Sequence, residues 1–200
     1  MRYKEVTFKG REFLHGTLYG DSEVGVVLCP PHPLYGGNRN DTRLVRIAGE
    51  LVLHNIYTLC MDYGSYGGGV KEVQDVLSAI SYMKKKVRSL SLGGYSFGAV
   101  VASNAAAKAA KIRGFAAMSI LKSVNGLEAS LEFVCPKLFI HGRLDGIAPY
   151  SEFERLYSKV KGEKEKLILD TDHLYLENYP EAIDLASKRI CEFFSKLLLK

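Results

Sequence analysis

The sequence predicts an α/β fold, a three-layer sandwich built on a mostly parallel sheet with an antiparallel hairpin at its start. Three observations predict it. From residue 24 to the C-terminus, apolar runs of strand length alternate with stretches of helical periodicity. Strands that alternate with helices pack as a parallel sheet covered on both faces. The clearest run, Val24-Gly25-Val26-Val27-Leu28-Cys29, is continuously apolar, as a strand buried on both faces must be. Residues 3–19 instead alternate, with Tyr3, Glu5 and Thr7 on one side, Lys4, Val6 and Phe8 on the other, and a Lys9-Gly10 turn. That is the pattern of an edge hairpin.

Bulk properties narrow the class. The chain has 200 residues, 47% hydrophobic and 24% charged, which suits one globular domain spanning residues 1–200. The net charge of +5 is spread over many lysines. The nearest to a cluster is Lys84-Lys85-Lys86-Val87-Arg88, which lacks interleaved aromatics and reads as the solvated C-terminal turn of a helix. A nucleic-acid partner is therefore not expected. No apolar run approaches ~18 residues, so no membrane span is expected. Met1 to Glu5 carries no apolar signal region, so the expected location is cytoplasmic. Cys29, Cys60, Cys135 and Cys191 form no Cys-x-x-Cys pair, and neither a zinc site nor a redox motif is expected. Their spacing leaves open whether any two are bridged. A single glutamine, no tryptophan and many Lys and Glu lean towards a thermophile's composition.

In order along the chain, Val24–Cys29 is followed by the loop Pro30-Pro31-His32-Pro33-Leu34-Tyr35-Gly36-Gly37-Asn38. Residues 42–54 place Leu44, Ile47, Ala48 and Leu51 on one helical face. Ile56 to Met61 is a strand, followed by the Gly-rich loop 62–69. That loop lacks a Gly-Lys-Ser/Thr ending, and its spacing does not fit a dinucleotide fingerprint. It is read as the floor of a cleft. Residues 70–86 form a helix with Val73, Val76, Leu77, Ile80 and Met83 inward, Glu72 and Asp75 near its start and lysines at its end. Leu90 begins the next strand, Ala99 to Ala110 is its helix, and Arg113 to Met118 the strand after that. Residues 119–134 are short and partly polar, with no room for a folded cap. Lys137 to His141 is a strand, Tyr150 to Val160 a helix and Lys166 to Leu169 the last strand. A closing amphipathic helix starts at Pro180 and turns Ile183, Ala186, Ile190, Phe193, Phe194 and Leu197 inward.

The stretch that organises the rest is Leu90 to Ala102. An apolar strand runs into Gly94-Tyr95-Ser96-Phe97-Gly98 and then into small helix-forming residues. A strand that reverses sharply into a helix leaves Ser96 at the apex, with Gly94 and Gly98 giving strand and helix room to pass. The helix then aims its first amides, Phe97 foremost, at any charge forming beside Ser96. In open α/β sheets, functional groups gather outside the carboxyl ends of the strands. Loops 30–38, 62–69, 94–98, 142–149 and 170–174 fall there. They supply a serine, an acid and a histidine in the order Ser, Asp, His. A serine hydroxyl needs an imidazole to take its proton, and the imidazole needs a carboxylate to fix its tautomer. Asp145, Asp170 and Asp172 all compete for the acid's place. The two nearest His173 in sequence are read as turn caps.

Four segments carry a resemblance. They are Gly94-Tyr95-Ser96-Phe97-Gly98, His32-Pro33-Leu34-Tyr35-Gly36-Gly37, His141-Gly142-Arg143-Leu144-Asp145-Gly146-Ile147-Ala148-Pro149 and Asp172-His173. Through them nearly the whole chain resembles the α/β-hydrolase superfamily, in its small, cap-less, dienelactone-hydrolase-like or acyl-esterase branch. The resemblance implies Ser96 as nucleophile, Asp145 as the carboxylate orienting His173, and His173 as base and then acid. It implies an oxyanion hole from the backbone amides of Phe97 and Leu34, and no metal or organic cofactor. Two departures stand out: dienelactone hydrolases proper carry cysteine where this chain has Ser96, and the first loop reads His-Pro rather than His-Gly. His32 is read as a brace of its loop, with binding of a substrate's polar end as its alternative. Tyr35, Tyr63 and Tyr66 are candidate cleft-lining residues, and His141 is read as structural. The implied function is hydrolysis of ester-type acyl bonds of small substrates through an acyl-serine intermediate. The absence of a cap favours short-chain soluble acyl esters or thioesters. Peptidase, amidase and thioesterase activities use the same triad. A ligand-binding protein without turnover is the rival from another class.

Overall fold

A computed structural model describes residues 2–199. Ten strands and five α-helices follow one another as β1 (Tyr3–Lys9), β2 (Phe13–Tyr19), β3 (Val24–Cys29), α1 (Thr42–Leu53), β4 (Tyr57–Met61), α2 (Val70–Lys84), β5 (Ser89–Tyr95), α3 (Phe97–Lys108), β6 (Ile112–Met118), β7 (Ser123–Val124), β8 (Leu127–Glu128), β9 (Lys137–Gly142), α4 (Tyr150–Lys159), β10 (Lys164–Leu169) and α5 (Glu181–Leu198). Eight strands form one sheet in the order β1-β2-β4-β3-β5-β6-β9-β10. β1 and β2 are antiparallel to each other, and β2 is antiparallel to β4. Every remaining pair is parallel.

The continuous apolar runs resolve into two cores once the pleat is applied. In β3, Val27 and Cys29 face the layer that holds α2 and α3, while Val26 and Leu28 face the layer of α1 and α5. Successive side chains of a strand point to opposite faces, so a strand covered on both must be apolar at every position. α1 contributes Leu44, Ile47, Ala48 and Leu51 to its core, as its spacing predicts. α3 is buried almost all round, which accounts for its run of Ala, Val and Gly: it packs on the sheet and, beside it in the same layer, on α2. Asp41 opens α1 by accepting from the amides of Arg43 and Leu44.

The structure departs from the sequence reading between β6 and β9. Residues 119–134 hold a small hairpin, β7–β8, closed by Asn125-Gly126, with both residues at positive φ (47° and 83°). Asn-Gly is the pair that two-residue hairpin turns favour, because both central residues need the left-handed region. β10 also starts earlier than predicted, at Lys164, and α2 ends earlier, at Lys84. Lys84 donates to the Ala110 carbonyl and Lys86 lies 4.8 Å over the Tyr82 ring, so the basic cluster closes the end of α2. All four cysteines are free thiols, and burial pushes Cys29 and Cys60 far above the ordinary thiol range. Among the described residues no helix is long and apolar enough to cross a membrane.

Candidate active site

Ser96 sits between β5 and α3 with φ 56° and ψ −121°. Side chains other than glycine rarely adopt a positive φ, and the strain is held by what surrounds the turn. A Cβ on Gly94 would strike the backbone of Gly98, which is the strand-to-helix crossing the sequence predicts. A Cβ on Gly98 would strike the carbonyls of Cys29 and Pro30. The second glycine therefore makes room for the end of β3 rather than for β5. The Ser96 amide is anchored to the Met118 carbonyl of β6 at 2.9 Å. The turn is thus pinned between the two neighbouring strands.

The loops after β9 and β10 bring the other two groups to it. His173 Nε2 lies 2.9 Å from Ser96 Oγ, and His173 Nδ1 lies 2.7 Å from Asp145 Oδ2. The carboxylate can only accept, so Nδ1 carries the proton and donates. That leaves Nε2 as the acceptor of the serine hydroxyl. Asp145 Oδ1 accepts from the amides of Ile147 (2.9 Å) and Ala148 (2.7 Å). All three residues are buried, Ser96 at 7% exposure and His173 at 6%. Burial alone would raise the Asp145 carboxyl. The bonds from His173 and the Ala148 amide, with the nearby imidazoles of His173 and His141, outweigh it and hold the group below its ordinary value.

The rival acids lie elsewhere. Asp172 accepts from the amides of Leu176 (2.7 Å) and Glu177 (3.3 Å) and so caps the turn that carries His173. Asp170 pairs with Arg143 at the surface, 3.1 Å apart. His141 is fully buried and stacked on Phe153, with ring centroids 4.3 Å apart. Its Nε2–H donates to the Ala148 carbonyl at 2.8 Å, closing the loop that presents Asp145. Burial lowers its pKa and keeps the ring neutral.

On the other side of Ser96, the loop after β3 forms a single 3-10 turn, Pro33–Tyr35. His32 caps it: Nδ1 accepts from the Leu34 amide at 3.2 Å. The Leu34 amide, expected as the second oxyanion donor, is therefore committed to His32, and an oxyanion would have to take it from the ring. The Phe97 amide opens α3, where no acceptor exists within the helix. With Nδ1 accepting, His32 holds its proton on Nε2, which donates to the Tyr66 hydroxyl at 3.2 Å; Asn125 of the β7–β8 turn reaches the same oxygen at 2.6 Å. His32 packs 4.6 Å from the Phe97 ring and 4.8 Å from the Tyr35 ring. Burial lowers its pKa.

The candidate lining residues separate accordingly. Tyr35 is 88% exposed beside His32. Tyr66 is half-buried and bridges His32 to the small hairpin. Tyr63 packs edge-on against Phe97 and donates to the Pro30 carbonyl at 3.0 Å, so its hydroxyl serves the loop. Loop 62–69 itself is held by three carboxylates from outside it. Asp75 accepts from the Gly64 amide, Glu12 from the amide and hydroxyl of Ser65, and Glu72 from the amides of Gly67 and Gly69.

Three residues that sequence reasoning left without a role support the constellation. Tyr95 donates its hydroxyl to the His173 carbonyl at 2.8 Å. Arg43 lies 4.6 Å over the Tyr95 ring and donates to the Leu174 carbonyl at 3.3 Å. Asn125 fixes Tyr66. The Asn-Gly pair could have revealed the third; nothing local to Tyr95 or Arg43 betrays a partner more than 70 residues away. Among the described residues no group of His, Cys, Asp and Glu is arranged to hold a metal.

No protein-family model matches the chain. An uncharacterised protein of Rickettsia prowazekii is 25% identical over 187 residues, covering 82% of this chain and 78% of that one. Solved structures match closely in shape. An α/β serine hydrolase homologue from Coxiella burnetii superposes with a TM-score of 0.84 at 19% identity, over 95% of this chain and 98% of its own. XC6422 from Xanthomonas campestris, described as a member of the α/β serine hydrolases without lid, gives 0.84 at 19% identity, over 99% and 96%. The esterase Pf2001 from Pyrococcus furiosus gives 0.82 at 20% identity, over 98% and 93%. The chain has the α/β-hydrolase fold without a lid.

Proposed function

We propose that the protein is a serine hydrolase that cleaves ester-type acyl bonds of small substrates through an acyl-serine intermediate. One observation carries this reading: the unbroken line from Ser96 Oγ through both nitrogens of His173 to Asp145, at 2.9 and 2.7 Å, on a turn strained to φ 56°. Similarity to serine hydrolases and an esterase supports it.

Ser96 Oγ attacks the acyl carbon while His173 Nε2 takes its proton, and Asp145 stabilises the imidazolium that results. Negative charge gathers on the former carbonyl oxygen, which faces the Phe97 amide and the N-terminus of α3. Its second donor is the Leu34 amide, once released by His32. The tetrahedral adduct collapses, the acyl–oxygen bond to the alcohol breaks, and the leaving alkoxide takes the proton from His173. A water molecule then gives a proton to His173, attacks the acyl carbon and releases the acid, and the proton returns to Ser96.

Steady-state hydrolysis of activated acyl esters, thioesters and amides tests the reading. Ester turnover that vanishes in Ser96→Ala is the expected result. Equal slow hydrolysis by both proteins would sink it, and a preference for amide over ester would move the reading to a peptidase or amidase.

A further inference from the structure

We infer that the mouth of this site binds an apolar acyl chain of an uncharged ester, through a collar of exposed side chains carried by the residues that flank the catalytic groups. The inference rests on the serine-hydrolase reading above and names its substrate class.

Large apolar side chains are mostly interior in this protein, and those left exposed are unevenly placed. Of the fourteen exposed ones among the described residues, seven lie on the loops after β3, β9 and β10. Leu144 and Ile147 bracket Asp145, Leu174 follows His173, and Leu34 and Tyr35 follow His32. Single exposed apolar residues need no explanation, but a cluster around a reactive group does. The loops are held by polar contacts of their own, so packing does not account for these side chains. Asp145 binds two backbone amides of its loop, Asp172 two of the next, and His32 one of the third.

Charge around the mouth points the same way. Arg39 is held by Asp62, Arg43 by Asp41 at 3.0 Å, and Arg143 by Asp170 at 3.1 Å. Each guanidinium that borders these loops is already neutralised, so none offers a free cation to an anionic substrate. Beside Leu174 a cavity of about 380 Å³ opens, lined by the apolar side chains of Leu176, Tyr179 and Ile183 and by Arg43 and Arg46, each paired with an aspartate. The collar thus shifts the chain-length optimum above the shortest esters, which the missing cap alone would favour.

The test is a series of p-nitrophenyl esters from acetate to octanoate, each below its micelle concentration. For the wild type, kcat/KM should rise about two- to fourfold per added methylene, the worth of a partly to fully buried CH₂. The octanoate-to-acetate ratio should fall at least about fivefold in Leu174→Ser and in the Leu144→Ser, Ile147→Ser pair. It should be unchanged in Leu53→Ser, an exposed leucine at the C-terminal end of α1, where the chain has returned to the start of β4 and the opposite end of the sheet. Independently of any variant, n-alkyl boronic acids should inhibit the wild type more strongly as the chain lengthens. Acetate turnover through Ser96 with a flat or falling series overturns the collar while sparing the catalytic reading, as does an unchanged ratio in both collar variants. No turnover of any ester overturns both.

Discussion

The two sides of Ser96 are built differently. On the side of β9 and β10, Asp145 and His173 are buried and committed: Asp145 accepts three hydrogen bonds, His173 uses both ring nitrogens, and His141 and Tyr95 lock the carbonyls that frame them. On the side of β3 and β4, the contacts run through an accessible edge, where His32, Tyr66 and Asn125 join three loops and Leu34 and Tyr35 stand in solvent. On the proposed mechanism, the half that would transfer protons is thus fixed before a substrate arrives. The half that would receive the oxyanion is held by neutral bonds, each worth about 0.5–1.5 kcal/mol, that a substrate can exchange. Preorganisation is concentrated where charge moves.

The comparison can be broken first at its rigid side. Ser96→Ala should lower kcat by about 10⁶-fold, as loss of the nucleophile does in hydrolases with this triad. Asp145→Asn should cost about 10⁴-fold in kcat with the fold retained, because the amide cannot fix the Nδ1–H tautomer. Burst kinetics on both variants check these values. The same substitution carries a stability signature. Asp145 is held below its ordinary carboxylate value, so its stabilisation is complete above the unfolded-state value and is lost as pH falls from there through the lowered folded one. Urea midpoints of wild type and Asp145→Asn should differ at neutral pH and converge in that acid window. A constant gap would mean that the charge is not what stabilises.

Smaller effects sharpen the contrast. Tyr95→Phe removes the bond to the His173 carbonyl and should cost about 1 kcal/mol in urea denaturation, together with a several-fold loss of kcat. On the open side, His32→Asn keeps an oxygen able to accept from the Leu34 amide but loses the reach to Tyr66. It should change kcat by only a few fold, with KM the more responsive constant. A loss as large as that of Asp145→Asn would show the two sides to be equally preorganised.

Much of this was legible in the sequence, for particular reasons. A strand such as Val24–Cys29 must be apolar at each position once both faces are covered, and the elbow must carry glycine where backbones nearly touch. Asp145 was legible through its loop motif, though Asp170 and Asp172 competed until their turn-capping and surface bonds were seen. The commitment of the Leu34 amide to His32 was not legible, because it depends on a ring rotamer. Nor were the roles of Tyr95 and Arg43, whose contacts with 173 and 174 are set by sheet order. The Asn125-Gly126 turn was written locally, but between strands too short for an alternating pattern to show.

The most direct measurement is the intact and peptide mass of the protein quenched during turnover of an activated acyl ester. The account predicts one acyl group per chain, located on Ser96, and none in Ser96→Ala. Turnover without any adduct, or an adduct on another residue, would contradict it.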